Sequence, residues 1–356
     1  MTLTEIFDNA LANNASDIHL IADSHPVIRV DGKLAAITTI PQLTPQDIET
    51  IITPILTDPQ KEVLVNNRSL DFSHAYGVEG RSEKGRFRIN LYYQKDTLAA
   101  AFRVLPKQIK TIEELGLPQI CHTFAALKQG FILVTGPTGQ GKSTTLASII
   151  NEINMTRPVN IITIEDPIEY IYPPGKSIIS QREIGIDTLS WGEALRSALR
   201  EDPDVLLIGE MRDPESTASA ITIAETGHLV FSTLHTNSAS QSINRIIDSF
   251  PEHQQNQIKI QLSTTIGGII SQRLVPRIDG GRVVASEIMI ATNAIRSNIR
   301  EGKTHLLDST IETSQDAGMI SLEASLADLV KRGIISVDVA QGYSLRKELL
   351  TRLISS

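Results

Sequence analysis

A single cysteine, Cys121, occurs in a chain of 356 residues. One cysteine makes neither an internal disulfide nor a four-cysteine zinc site. Aromatics are also scarce, with one Trp, six Tyr and eight Phe. That argues against an all-β sandwich and against a stacking platform for single-stranded nucleic acid. There is no basic excess: Lys+Arg total 33 against 41 Asp+Glu, a net charge of −8. This is the wrong sign for general attraction to a phosphate backbone, so no nucleic-acid partner is expected. The first residues, MTLTEIFDNA, carry no positive start and no apolar core, so no secretory signal is read there. The longest apolar runs, such as that in DVLLIG, fall far below the roughly 20 residues of a spanning helix. These absences lead to the expectation of a soluble, cytoplasmic protein in a reducing compartment.

Hydrophobic residues nonetheless make up 41% of the chain, enough for sizeable cores, and its length suggests two domains. Residues 1–110 read as a small α/β module. Ile6, Leu11 and Ile18 suit an opening helix, and HLIAD and PVIRVDGKL suit strand–turn–strand with Asp31-Gly32 at a hairpin. Thr44 is a cap for the helical run PQDIETIITPIL. RFRINLYYQ and LAAAFRVL are further strands, with Phe87, Ile89 and Leu91 alternating against Arg86, Arg88 and Asn90. Residues 81–103 hold six basic and two acidic side chains, a strand face that is either solvated or turned to an anion. The expected boundaries are 1–105 for the first domain, 106–120 for a linker, and 121–356 for the second. In the second, FILVTG, NIITIED, DVLLIGE and HLVFSTLH alternate with helical runs, the pattern of a parallel sheet. From about residue 253 the chain reads as helical, broken by a hairpin in LVPRIDGGRVVASEIMI.

The segment Gly136-Pro137-Thr138-Gly139-Gln140-Gly141-Lys142-Ser143, followed by Thr144, fits G-x-x-x-x-G-K-[ST] between an apolar strand and a helical run. Such glycines let a loop wrap phosphates with its backbone N–H groups, and the following helix adds positive potential. Lys142 is expected to reach β- and γ-phosphates and Ser143 to hold Mg²⁺. Glu210 ends the apolar run LLIG and Glu165 ends IITI, two acids at the ligand edge of an open sheet. Glu210 would bind Mg²⁺ through water or polarise the attacking water. His228 and His235 flank LVFSTL, so they stand at opposite ends of one strand. His235, beside Thr233 and Thr236, suits either γ-phosphate sensing or capping. His228 suits a structural or interface role.

With these segments the chain resembles the ATPases of the type II/IV secretion and type IV pilus superfamily, nearest the pilus retraction (PilT) family. The resemblance is carried by ASDIHL, RVDG, RFRIN, LVTGPTGQGKSTTLA, TIEDPIEY, SQREIG, ALRSALREDPDVLLIGEMRDPES and AETGHLVFSTLHT. It implies an α/β fold in which a PAS-like N-terminal domain joins a RecA-like P-loop ATPase domain with a helical C-terminal region. It further implies a ring of six subunits with ATP between the two domains. The family's Asp box then falls on Thr163–Tyr170 with Glu165 catalytic, and its Walker B on Leu206–Arg212 with Glu210 catalytic. Its His box falls on Glu225–Thr236, which adds His228 and His235. Its phosphate-sensing arginines fall on Arg88 and Arg103, with Arg86 weaker, so the anion facing the basic strand becomes ATP.

The resemblance also implies work at the inner face of the bacterial cytoplasmic membrane, through a pilus platform protein. Extension and secretion relatives usually carry a long extra N-terminal region and a four-cysteine zinc motif. The lack of both here favours retraction over pilus assembly or type II secretion, and a nucleic-acid motor or a non-hydrolysing nucleotide-binding ring stands further off. The retraction motif AIRNLIRE is matched by Ala294-Ile-Arg-Ser-Asn-Ile-Arg-Glu301, with Ser297 and Asn298 departing. A polar residue replacing an apolar one there costs packing unless it is paired. Gln140 stands where the family usually has Ser. It is expected to matter little, because the backbone does the binding. Residues 337–356 read as a solvated end rather than a docking tail.

Overall fold

The chain opens with reciprocal capping. Thr2 accepts from the Glu5 N–H while the Glu5 carboxylate accepts from the Thr2 N–H, which starts helix α1 (Leu3–Ala12). Asn14, at φ 51°, takes the left-handed conformation just past the helix end. The helix therefore stops short of Ile18, which lies buried on strand β1 (Asp17–Leu20) rather than on the opening helix. The computed structural model describes residues 2–30, 32–78, 83–211 and 213–355. Asp31 of the expected hairpin turn and Arg212 at the end of the expected Walker B segment lie outside the described residues.

Strands β2 (Val27–Val30) and β3 (Lys33–Ala36) follow. A second capping box, Thr44 with Asp47, starts α2 (Pro45–Ile52), and its proline occupies the first turn, where no N–H is missed. Then come α3 (Asp58–Asn67), β4 (Ser69–Tyr76), β5 (Gly85–Gln94) and β6 (Thr97–Leu105). The six strands form one antiparallel sheet in the order β3-β2-β1-β6-β5-β4. Its core includes Ile6, Phe7 and Ala10 of α1 with Phe87, Ile89, Leu91 and Phe102 of the sheet. Phe7 stacks on Phe87 with centroids 3.9 Å apart, a ring pair worth about 0.5–1.5 kcal/mol beyond the area it buries.

This sheet belongs to a compact unit made of Met1–Gln108 and Asp166–Ile171, and the rest of the chain forms a second unit. The second begins at Ile109 and holds Ile112 and Leu117 buried in its core, so part of the stretch read as a linker is core here. Its elements are α4 (Ile120–Ala126), β7 (Gly130–Thr135), α5 (Lys142–Thr156), β8 (Asn160–Glu165), β9 (Ile178–Glu183) and α6 (Trp191–Ala198). They continue with β10 (Val205–Ile208), α7 (Pro214–Glu225), β11 (Leu229–Leu234), α8 (Ala239–Asp248) and α9 (Glu252–Thr265). The hairpin β12 (Ile266–Pro276) and β13 (Arg282–Ile290) precedes α10 (Asn293–Arg300), α11 (Leu307–Thr313), α12 (Leu322–Lys331), α13 (Val337–Tyr343) and α14 (Lys347–Ser355).

The sheet order is β13-β12-β7-β11-β10-β8-β9, parallel except for the β12–β13 pair. Both faces are covered, which explains the mostly apolar runs of its strands. Phe131, Leu133, Ile162, Ile164, Leu206 and Ile208 point into one core, which α6 to α9 help to build. Ile132, Val134, Ile161, Val205 and Leu207 point into the other, which holds α4 and α5. Cys121 is buried in this second core, and burial pushes its thiol up to about 12.

The C-terminal residues are not a solvated end. The wholly buried carboxylate of Glu323 accepts from the N–H groups of Leu345 and Arg346, at 3.1 and 3.0 Å, and from the Arg346 guanidinium. Arg346 also pairs with Glu312, and Ala340 and Leu350 are buried beside α12. A buried carboxylate is stable only when its lone pairs are filled, so the tail is held where it fills them.

Candidate nucleotide site

The phosphate loop runs from the fully buried strand β7 into α5, and Gly136, Gly139 and Gly141 all have positive φ. A Cβ on Gly136 would lie 2.5 Å from the Gln272 carbonyl oxygen, so only glycine fits there. Lys142, buried at the start of α5, folds back to donate to the carbonyls of Gly136 and Pro137 at 2.9 and 3.1 Å. Ser143 is exposed at the first turn and Thr144 half-exposed. Gln140 does more than its position in the motif suggests. Its side-chain oxygen accepts from the Leu274 N–H at 2.6 Å, and its main-chain carbonyl accepts from the Gln272 side chain, so the loop is tied to β12.

The acids stand at the same sheet edge because β7, β11, β10 and β8 are successive parallel neighbours. Glu210 follows β10, two strands from the loop, and Glu165 ends β8, three strands away. At the usual strand spacing these are roughly 10 and 14 Å. His235, just past β11, fills the nearer gap. Its Nε2 is 3.3 Å from Glu210 Oε1, and its Nδ1 is 3.3 Å from Thr138 Oγ1 and 3.5 Å from Lys142 Nζ. An ammonium can only donate, so Nδ1 is the accepting nitrogen and Nε2–H faces the carboxylate. An acid and the loop are thus joined through one imidazole.

Other side chains fix these groups. Thr233 donates to the Gly209 carbonyl at 2.7 Å, holding the turn before Glu210. Gly209 N–H donates to Ile164 at 2.8 Å, which sets that turn against the end of β8. Glu165 Oε1 accepts from Thr163 Oγ1 at 2.7 Å and from Gln181 Nε2 at 3.4 Å. Thr163 and Gln181 were not foreseen, and Thr233 was foreseen only as a neighbour of His235. For Thr163 and Thr233 the signal was a polar residue inside an otherwise apolar strand.

His228 is not brought to this site within the chain. It lies at the opposite end of β11, where Nδ1–H donates to the Ile223 carbonyl at 2.9 Å and neighbours Thr226 at 3.0 Å. That is a local tie at the end of α7.

Arg88 and Arg103 lie side by side on the antiparallel sheet of the first unit as cross-strand partners. Asp17 pairs in register with Arg103 on one side and Arg29 on the other, so Arg29, unforeseen, extends the row. Asp71 is 3.4 Å from Arg88, and Asp17 is 3.4 Å from Arg103 and 3.8 Å from Arg29. Arg103 keeps 68% of its side chain exposed, whereas Arg86 keeps 17% and donates to Ser73. Arg88 and Arg103 are therefore the more available of the three expected arginines.

The model of the type II/IV secretion system protein family matches residues 1–332. The chain belongs to this family. It is 44% identical over 341 residues to the "Type IV pilus retractation ATPase PilT" of Pseudomonas aeruginosa, covering 96% of this chain and 97% of that one. It is 43% identical over 332 residues to a "Twitching motility protein" of Neisseria gonorrhoeae, covering 93% of this chain and 87% of that one. A solved structure titled "Crystal Structure of the Pilus Retraction Motor PilT and Bound ADP" superposes with a TM-score of 0.91 at 46% identity, covering 99% of both chains. The fold is that of this secretion-ATPase family, an N-terminal domain and a RecA-like ATPase domain.

Within the family segment 294–301, Arg296 is tied to the backbone of neighbouring elements. It donates to the carbonyls of Ser263 and Thr264 at 2.8 and 2.7 Å, capping the C-terminal end of α9, and to Ala291 at 3.1 Å. The departing residue Asn298 is paired, donating to Thr310 at 3.2 Å, so its polarity is compensated. Among the described residues no helix is long and apolar enough to cross a membrane.

Proposed function

We propose that this chain is a hexameric, Mg²⁺-dependent P-loop ATPase that powers retraction of a type IV pilus. The observation that carries the reading is the continuous contact from Glu210 through His235 to the phosphate loop. Similarity to retraction ATPases along nearly the whole chain supports the biological role. Residues 136–144 bind the nucleotide, with backbone N–H groups on its phosphates. Lys142 exchanges its two loop carbonyls for phosphate oxygens, and His235, already within reach of that amine, follows the exchange. Glu210 aligns the water that attacks the γ-phosphate and takes its proton, and the His235 Nε2–H steadies the carboxylate meanwhile. Glu165, one strand further out, assists electrostatically.

The donor set fits Mg²⁺: a hard cation takes few protein oxygens when phosphates supply the rest. Ser143, with its exposed hydroxyl, and Glu210, through water, would hold it, and among the described residues no cluster of three His, Cys, Asp or Glu offers a cage by itself. When bound, Mg²⁺ would supply positive charge to offset that of the phosphates. Arg88 and Arg103 sense the γ-phosphate. Six such hydrolysis steps around a ring turn a platform protein at the inner face of the cytoplasmic membrane.

Deleting the gene in a piliated host tests the role. Retraction predicts excess surface pili without twitching. Missing pili would assign the chain to assembly instead.

A further inference from the structure

The buried end of β12 carries polar groups that the reaction does not use. Gln272 is wholly buried, where an unpaired amide is costly. Both ends of its side chain are paired, and both partners belong to the phosphate-binding element. Its oxygen accepts from Thr145 Oγ1 at 2.9 Å, and its nitrogen donates to the Gln140 carbonyl. Thr145 lies in the first turn of α5 and Gln140 lies before Lys142, so one side chain grips the loop on both sides of its lysine. The adjacent backbone does the same. The Gln272 carbonyl closes over Gly136, and Leu274 N–H holds the Gln140 side chain. Arg273, also buried, donates to the Gln272 carbonyl at 3.0 Å and to the Asn237 main-chain and side-chain oxygens at 3.1 and 3.0 Å. Asn237 follows His235 by two residues.

A loop with three left-handed glycines has little shape of its own. A cradle of N–H groups binds well only if it is held in place before the anion arrives. β12 pairs in parallel register with β7, matching Ser271 to Thr135 immediately before the loop, and so acts as its template. We infer that Gln272 is a positioning residue that keeps the phosphate loop in its nucleotide-binding shape, with Arg273 extending the hold to the turn after His235. The inference rests on the ATPase reading. Gln272 acts through the loop and touches no reacting atom.

The test separates positioning from simple stability. Thr145→Val, Gln272→Met and the double variant are prepared in the full chain. Each is measured for ADP affinity by calorimetry and for melting temperature without nucleotide. Each single change strands a buried polar group and lowers the melting temperature, whereas the double change removes both partners and recovers much of it. Positioning predicts that the double variant still binds ADP about tenfold more weakly than wild type, because the Gln140 carbonyl has lost its anchor. A double variant that regains wild-type affinity together with stability would make the pair purely structural and overturn the inference.

Gln140→Ala guards against misfolding of the buried variants. It cuts only the half-exposed tie to Leu274, and about fivefold weaker ADP binding is expected with a smaller fall in melting temperature than either buried single variant shows. Unchanged affinity there overturns the template idea as well. Wild-type protein that binds no ADP would instead sink the ATPase reading, a different failure from wild-type binding that the variants leave intact.

Discussion

The two sheets of this molecule place their chemistry differently. In the second unit both faces of a mostly parallel sheet are buried, so functional groups gather at the strand ends, where Lys142, His235, Glu210 and Glu165 lie. In the first unit the sheet is antiparallel, with one face packed under α1 and the other carrying the row Arg29, Asp17, Arg103 and Arg88. The lesson is that burial decides where polar side chains can stand: at an edge when both faces are covered, on a face when one is open.

The largest effect should come from the edge. Lys142→Ala is expected to lower phosphate release about a thousandfold or more with the far-ultraviolet circular dichroism unchanged, because the loop loses its buried ammonium. Turnover within tenfold of wild type would take the chemistry away from the sheet edge. Next comes the face. Arg88→Ala and Arg103→Ala should each lower turnover about a hundredfold or more if the row meets ATP. If the row is merely solvated, turnover stays at the wild-type level and only surface ion pairs, worth about 0–1 kcal/mol, are lost.

A smaller, pH-dependent effect belongs to the buried interior. Burial pushes the Glu287 carboxyl up to about 7, although the Ala239 N–H, which donates to its Oε1 at 2.7 Å, pulls the other way. The folded state thus holds a proton that the unfolded state releases near pH 4.5. Stability from this group is complete below about 4.5 and is lost as pH rises through about 7, by up to roughly 3 kcal/mol. Melting curves of wild type should therefore fall between pH 5 and about 8 more steeply than those of Glu287→Gln. Equal slopes would remove Glu287 from the account.

What could be read from the sequence follows the same division. β7, β8, β10 and β11 were legible because strands buried on both faces are mostly apolar and lead into a glycine, acid or histidine. β5 was legible for the opposite reason, its strict alternation on a half-open sheet. Ile18 misled because its spacing from Leu11 suits a helix, while the stop at Asn13 and Asn14 is a backbone event. The early part of β12, with Gly267-Gly268, falls in the stretch read as helical from about residue 253. In the structure a Cβ at Gly268 would lie 2.4 Å from the Phe124 ring, so the pair marks close packing within a strand.

The catalytic candidates were legible from local motifs, but their supports were not. Gln272 matters only because β12 returns to lie beside β7, a pairing across more than a hundred residues. His228 shows the reverse: it flanks the same strand as His235, yet strand direction places it at the far end.

The most direct test is ATP binding and hydrolysis by purified wild type and Glu210→Gln, with particle mass measured by light scattering. The account predicts six-chain particles in both, nucleotide binding in both, and turnover in the variant lowered by about a hundredfold or more. Near-normal turnover in Glu210→Gln, or full turnover from a single chain, would contradict it.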